Sequence, residues 1–243
     1  MALRTESTDD TFTITIDRPE RRNAVDLATL VSMRDAVEAA RSMSARVVVI
    51  TGAPPAFCSG ADLGGVELGE FTDTLLAVLR GLVELPAIVI AAVDGPALGA
   101  GSQIAAASDL RMATADSRFG IPAAKLGLAV DQWTVDRVGR EAGWSVARRM
   151  LLTGESFAAS DLVGGFVHRI GGLAEAMDWA RDLSRLAPLT IAAHKAALAA
   201  SGGEGGITVA DAEARRRAAW ASNDAVEGRR AFAEKRTPRF EGR

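Results

Sequence analysis

The chain has 243 residues, 48% of them hydrophobic and 24% charged, with a formal net charge of −3. This composition is typical of a globular α/β protein with one sizeable core, and the small negative charge gives no general argument for binding to nucleic acid or membrane surfaces. No window approaches the roughly 18 apolar residues of a membrane span. The first ten residues lack the apolar segment of a secretory signal.

Cysteine and histidine are scarce. Cys58 is the single cysteine, so no intramolecular disulfide can form, and we expect a reduced, cytoplasmic setting. The two histidines, His168 and His194, have no partners at metal-ligand spacing, so we expect no metal site. Because no histidine is near Cys58 in sequence, we interpret this residue as a small buried thiol rather than a nucleophile.

Five segments of the chain have strand-like patterns. Near-continuous apolar runs at 46–52 and 87–95 predict strands that are covered on both faces. The alternating segment 12–17 predicts an edge or half-exposed strand. Segments 109–114 and 166–171 give weaker strand signals.

Helical patterns lie between and after these strands. Segments 25–43 and 71–85 each carry an apolar stripe at helical spacing, and Pro86 ends the second. From about residue 131 the chain is mostly helical, with a linker-like stretch, SGGEGG, at 201–206. This order predicts strands with crossover helices, followed by a helical C-terminal third.

Two loops follow the two most apolar strands, TGAPPAFCSGADL (51–63) and DGPALGAGSQIAAASDL (94–110). Both contain small residues just before helix-prone sequence, which would leave backbone N–H groups uncovered near a helix N-terminus. Two converging N–H groups would bind a polarised carbonyl or an oxyanion. Close packing alone is the alternative explanation for such small residues. Neither loop completes a dinucleotide fingerprint, a phosphate-binding P-loop or a serine nucleophile elbow.

Four segments together resemble the crotonase superfamily, which contains the enoyl-CoA hydratases and isomerases. They are RPERRNAVD (18–26), VVVITG with AFCSGADL (47–63), IAAVDGPALGAGSQIAAASDLRMAT (90–114) and EGRRAFAEKRTPRF (227–240). The resemblance implies an α/β fold built as a spiral of ββα units over residues 1–187. It also implies a C-terminal helical trimerisation region over 188–243, and hence a homotrimer or a dimer of trimers.

The resemblance further implies an acyl-CoA ligand and no separate cofactor. By motif position, the thioester oxygen would lie between the backbone N–H groups of Ala61 and Ala100.

Hydratases of the superfamily have catalytic glutamates at the positions of Gln103 and Ala123. Neither residue here can transfer a proton at neutral pH, so we expect little hydration. Gln103 could still bind a water or substrate, or only satisfy its neighbours in the helix.

Asp131 is the remaining candidate for proton transfer. In GLAVD (127–131) it resembles the aspartate that dienoyl-CoA isomerases use to carry a proton. Chlorobenzoyl-CoA dehalogenases have a nucleophilic aspartate at the same position. The dehalogenase alternative is weaker, because Ala123 stands where those enzymes have a tryptophan. The alternative for Asp131 is a helix N-cap. Trp133 is either a wall of the acyl pocket or a core aromatic.

The resemblance also implies contacts to coenzyme A, where cationic side chains suit the phosphates. The candidate residues are Arg21, Arg22, Ser59, Asp62, Leu63, Phe232 and Lys235, and the last two would reach the coenzyme from a neighbouring subunit. We therefore predict an acyl-CoA-binding protein of lipid metabolism without efficient hydratase activity, with a possible protein partner. The alternative is an enoyl- or dienoyl-CoA isomerase, or a weak hydratase, that uses Asp131.

Overall fold

The computed structural model describes residues 2–8, 10–62, 64, 68–203 and 206–243, with only the backbone at position 68. The strands in these residues are β1 (Leu3–Thr8), β2 (Thr11–Ile16), β3 (Val47–Gly52), β4 (Ile88–Val93), β5 (Pro96–Leu98), β6 (Leu110–Ala113), β7 (Arg118–Gly120), β8 (Ser156–Ala158) and β9 (Arg169–Ile170). The helices are α1 (Leu27–Ser42), α2 (Leu68–Glu84), α3 (Ala100–Ala107), α4 (Gln132–Ala142), α5 (Trp144–Arg148), α6 (Leu173–Leu183), α7 (Pro188–Gly202), α8 (Val209–Ala221) and α9 (Asn223–Glu234).

The strands form two sheets. One has six strands in the order β1-β2-β3-β4-β6-β9 and is parallel except for the β1–β2 pair. The other has the order β5-β7-β8, and β5 follows directly after β4. The polypeptide therefore passes from the large sheet to the small one just before α3 begins.

Strand β4 shows why the sequence 87–95 is apolar throughout. Val89, Ala91 and Val93 belong to the main core, which also contains residues of α1 and α2. The alternating residues Ile88 and Ile90 face a second core on the α6 side. A strand covered on both faces has no polar positions, as the pattern predicted.

The segments predicted as strands are strands, and of the two alternatives for 12–17 the half-exposed one is correct, because Thr13 and Thr15 are only partly buried. β2 is not an edge strand, because β1 pairs along its full length on one side and β3 pairs on the other. The exposed, polar sequence LRTEST of β1 gave no strand signal. The three-residue strands β5, β7 and β8 are also absent from the prediction. The helical C-terminal part of the chain is interrupted at Ser222, which caps α9.

The C-terminal helices begin with a segment that is attached to the core. Lys195 of α7 is buried and donates hydrogen bonds to the carbonyl oxygens of Leu82 (2.9 Å) and Ala87 (2.8 Å) and to Asp109 Oδ2 (2.7 Å). Burial lowers the pKa of Lys195, while the charge of Asp109 acts in the opposite direction. The proposed division between 187 and 188 stays a prediction. None of the helices in the described part of the chain is both long and apolar enough to span a bilayer.

Candidate active site

The two predicted loops lie against each other. Cys58 of the first loop pairs with Ala97 of β5, because Cys58 N donates to the Pro96 oxygen (3.0 Å) and Leu98 N donates to the Cys58 oxygen (2.9 Å). Gly60 and Gly99, both with positive φ, pack backbone to backbone. The loops therefore touch at the residues that immediately precede Ala61 and Ala100.

The N–H group of Ala61 points away from Val25, the residue with which Ala61 is paired. Ala61 forms a parallel bridge with Val25, in which Val25 N donates to the Gly60 oxygen (2.9 Å) and Asp62 N donates to the Val25 oxygen (2.8 Å). In a parallel bridge these flanking bonds leave the N–H of the central residue pointing to the other side. Within the described residues no acceptor bonds the Ala61 amide.

The N–H group of Ala100 is the first of helix α3. Gly99 is the N-cap with φ 53°, and its own amide donates to the Gly120 oxygen (2.9 Å). The first N–H groups of a helix have no intrahelical acceptor and carry the positive end of the helix dipole. No bond from the Ala100 amide is found among the described residues. Two main-chain donors are thus available where the loops meet.

Asn23 holds the first loop in shape, a role that sequence reasoning missed. Its buried side chain donates from Nδ2 to the oxygens of Ala53 (2.6 Å) and Ala56 (2.5 Å) and accepts at Oδ1 from Arg18 N (2.9 Å). Its φ is 57°, a left-handed value that asparagine tolerates better than most residues. The motif letters alone do not show that this amide bonds carbonyls thirty residues away.

Asp62, a candidate contact for coenzyme A, is held by a second residue that sequence reasoning missed. Arg18 Nη2 lies 3.1 Å from Asp62 Oδ2 and 3.0 Å from Asp26 Oδ2. Asp26 also caps α1 by accepting from Thr29 N (2.8 Å). Burial acts to raise the pKa of Asp26, but the bonds from Thr29 and the charge of Arg18 outweigh it and lower the pKa.

Three other candidate coenzyme A contacts lie beside the first loop. The carbonyl oxygens of Arg21 and Arg22 accept hydrogen bonds from Ser59 Oγ (3.3 Å) and Ser59 N (3.1 Å). Both arginines are exposed, and their contact with coenzyme A stays a prediction. Leu63 lies outside the described residues.

The two C-terminal candidates for binding coenzyme A, Phe232 and Lys235, are on α9 and at its end, not beside the first loop. Phe232 is 87% exposed on α9, and Lys235 ends that helix with φ 53°. In the described residues neither makes a hydrogen bond to the first loop. The basic side chains near Lys235 are partly neutralised by acidic ones, since Arg236 forms ion pairs with Glu227 and Glu234. A contact with coenzyme A across subunits stays a prediction.

Two further candidates are Gln103 and Ala123, which by motif position correspond to the hydratase glutamates, and this correspondence stays a prediction. Gln103 is 7% exposed in the first turn of α3, three residues after Ala100. Ala123 is partly buried in the turn Pro122–Leu126 and packs against the main core, as does Trp133. No ionisable side chain occupies either of the two positions.

Asp131 has the geometry of a helix N-cap. Its Oδ1 accepts from Thr134 N (3.0 Å) and its Oδ2 accepts from Thr134 Oγ1 (2.9 Å). Both carboxylate oxygens are thus used at the start of α4, and the residue is exposed. Proton transfer by Asp131 stays a prediction.

Cys58 is buried inside this site. Burial raises the pKa of its thiol to about 12, so the thiolate needed for nucleophilic attack is not populated at neutral pH. The interpretation as a buried packing residue therefore agrees with its surroundings.

Comparison with known proteins decides the family. A sequence model described as enoyl-CoA hydratase/isomerase matches residues 6–243. The chain belongs to the enoyl-CoA hydratase/isomerase family. It is 41% identical over 239 residues to "Probable enoyl-CoA hydratase echA6" of Mycobacterium leprae, covering 95% of this chain and 96% of the relative. The α/β crotonase fold expected from the resemblance is confirmed.

Other relatives extend the comparison. The "2,3-dehydroadipyl-CoA hydratase" of Escherichia coli is 35% identical over 244 residues, covering 95% of this chain and 94% of the relative. A putative enoyl-CoA hydratase from Streptomyces coelicolor A3(2), known from a crystal structure, superposes with a TM-score of 0.88 at 30% identity, covering 100% of this chain and 95% of that one. The family assignment thus rests on nearly the whole chain.

Proposed function

We propose that this family member binds acyl-CoA thioesters through the amides of Ala61 and Ala100 and has no efficient hydratase activity. The observation that carries the proposal is the pair of main-chain N–H groups, without acceptors among the described residues, on two loops that touch at Gly60 and Gly99. A thioester carbonyl oxygen is the group that such a pair of donors would hold.

We expect hydratase activity to be weak because of two side chains, Gln103 and Ala123. Adding water across a double bond needs one group to take a proton from water and another to protonate carbon. General acid and base groups each contribute about 10²–10⁴ to rate. Gln103 and Ala123 offer no ionisable group, and we expect the chain to bind its ligand with little turnover.

An enoyl- or dienoyl-CoA isomerase that uses Asp131 is the second candidate. It is less favoured because both oxygens of Asp131 bond Thr134. A homo-oligomer, a cytoplasmic location and a protein partner in lipid metabolism also belong to the proposal.

Calorimetry with three ligands tests the carbonyl contact. Butyryl-CoA has the thioester carbonyl, S-butyl-CoA is the thioether that lacks it, and free coenzyme A lacks the acyl group. We expect butyryl-CoA to bind at least about tenfold more tightly than S-butyl-CoA, since two hydrogen bonds are lost. Equal affinities would contradict the assignment of the two amides. Parallel assays of crotonyl-CoA hydration and 3-enoyl-CoA isomerisation would show whether turnover accompanies binding.

A further inference from the structure

Ser102, in the first turn of α3, is a buried serine whose hydroxyl bonds two strands of the small sheet. The residue is 2% exposed. Its Oγ donates to the Ala97 oxygen of β5 (2.6 Å) and accepts from Gly120 N of β7 (2.9 Å). A hydroxyl has a single hydrogen to donate, and that of Ser102 is used within the protein. The hydroxyl therefore joins the helix to the sheet rather than facing a ligand.

Gly120, the partner of Ser102 in β7, is itself held in place. A side chain at this position would put its Cβ 2.8 Å from the Glu155 oxygen, so the backbone of β7 lies directly against the segment that follows. The Gly120 oxygen also accepts from the N–H of Gly99, the N-cap of α3 (2.9 Å). The start of α3 is thus attached to β7 at two points, the N-cap and the hydroxyl of Ser102.

These attachments determine where the N–H of Ala100 points. This N–H shares a planar peptide unit with the carbonyl group of Gly99, and in a trans peptide unit the two groups point in opposite directions. The Gly99 oxygen accepts from Gln103 N (3.0 Å), which is the first hydrogen bond of the helix. The Ala100 N–H therefore points out of the N-terminus of α3, and any rotation of the first turn relative to the small sheet would change its direction.

The first loop, which carries the other donor, is attached to the same strand. Cys58 of this loop pairs with Ala97 of β5, and Ala97 is the residue whose oxygen accepts from Ser102. The hydroxyl thus connects the turn that carries Ala100 to the strand on which the loop of Ala61 lies. Its two hydrogen bonds help to fix the position of one donor relative to the other.

We propose that Ser102 is a positioning residue that aims the Ala100 N–H at the carbonyl oxygen of a bound thioester. This inference rests on the proposed function. A hydrogen bond weakens steeply as its donor turns away from the acceptor, and donors that are already oriented need no rearrangement when the ligand binds. Loss of the Ser102 hydroxyl should therefore weaken the contribution of the thioester carbonyl to binding and leave the remaining contacts of the ligand intact.

Ser102→Ala and Ser108→Ala form a matched pair of variants. Ser108 is buried at the other end of α3, and its hydroxyl donates to the Ile104 oxygen (3.0 Å), so each variant loses one buried serine hydroxyl. Calorimetry measures the preference for butyryl-CoA over S-butyl-CoA, which isolates the thioester carbonyl. We expect Ser102→Ala to reduce this preference from at least about tenfold to about threefold, since one of two donors is misdirected. Ser108→Ala should keep it, and S-butyl-CoA affinity should change less than about twofold in both variants.

Isotope-edited infrared spectroscopy gives a second measurement. Butyryl-CoA labelled with carbon-13 at the thioester carbon reports its own C=O stretch, whose frequency is lowered by hydrogen bonds to the oxygen. We expect a smaller lowering in Ser102→Ala than in the parent or in Ser108→Ala. Ser102→Cys, whose thiol is a weak donor and a weak acceptor, should lie between the parent and Ser102→Ala in both measurements. It takes the place of Ser102→Ala if urea denaturation shows that the alanine variant is not folded.

The outcomes separate this inference from the proposed function. If Ser102→Ala keeps the preference and the C=O frequency of the parent, Ser102 does not position the amide. If Ser108→Ala loses the preference equally, or if both ligands lose affinity together in Ser102→Ala, the hydroxyl supports the protein in general and the inference is wrong. If the parent itself binds butyryl-CoA no better than S-butyl-CoA, the proposed function fails and the role of Ser102 fails with it.

Discussion

A side chain on Gly101 would place its Cβ 2.2 Å from the carbonyl oxygen of Cys58. The first turn of α3 therefore lies directly on the backbone of the first loop, with no space for a methyl group. This contact fixes the distance between the two loops that carry the candidate donors.

Gly101→Ala should consequently damage both stability and binding. Because backbone atoms must shift, we expect the free energy of unfolding to fall by about 2 kcal/mol or more, measured by urea denaturation, together with weaker butyryl-CoA binding. Gly69→Ala is the matched control, since an added Cβ there meets nothing within 4 Å and the residue is helical. A Gly101→Ala variant with parental stability and affinity would contradict the close contact.

Ala100→Pro tests the donor at the start of α3. Proline is tolerated at the first position of a helix but has no N–H, so we expect thioester affinity to fall roughly tenfold while the protein remains folded. Leu173→Pro is the control, because it also follows a glycine N-cap at the first position of a helix, α6. If a correctly folded Ala100→Pro variant binds butyryl-CoA as the parent does, this amide does not hold the thioester.

Restoring two carboxylates tests why hydration is expected to be weak. The double variant Gln103→Glu/Ala123→Glu should hydrate crotonyl-CoA at least about 100-fold faster than the parent, because both proton-transfer groups are then present. Gln103→Glu/Ala123→Gln is the control, since it has a carboxylate at one position only and should gain much less. Fast hydration by the parent itself would show that other residues catalyse the reaction.

Two substitutions at Asp131 separate capping from proton transfer. Asp131→Ala should lower the free energy of unfolding by about 1 kcal/mol, whereas Asp131→Asn, an equally good N-cap, should leave it nearly unchanged. We expect neither substitution to change acyl-CoA binding. Isomerase activity that is present in the parent and lost in Asp131→Asn would instead support the second candidate function.

Much of this site could be predicted from sequence because its main features are local. The small residues around Ala61 and Ala100 and the start of α3 after a buried strand can be read from short windows. The cap at Asp131 is local as well, since its partner Thr134 is three residues away.

Other features depend on contacts between distant segments. Asn23 bonds carbonyls some thirty residues away, and Lys195 bonds carbonyls more than a hundred residues away, so no window contains both partners. β1 gave no signal because its exposed sequence is polar on both faces. Gln103 Oε1 and Trp133 Nε1 are buried and have no hydrogen-bond partner among the described residues, which no short window of sequence indicates.

The two candidate donors follow strands of different sheets, because Ala61 comes after β3 of the large sheet and Ala100 comes after β5 of the small one. A ligand that accepts hydrogen bonds from both amides would link the segment after the large sheet to the segment after the small one. Occupancy should then slow amide hydrogen exchange in β7 and β8, the two strands that complete the small sheet beside β5.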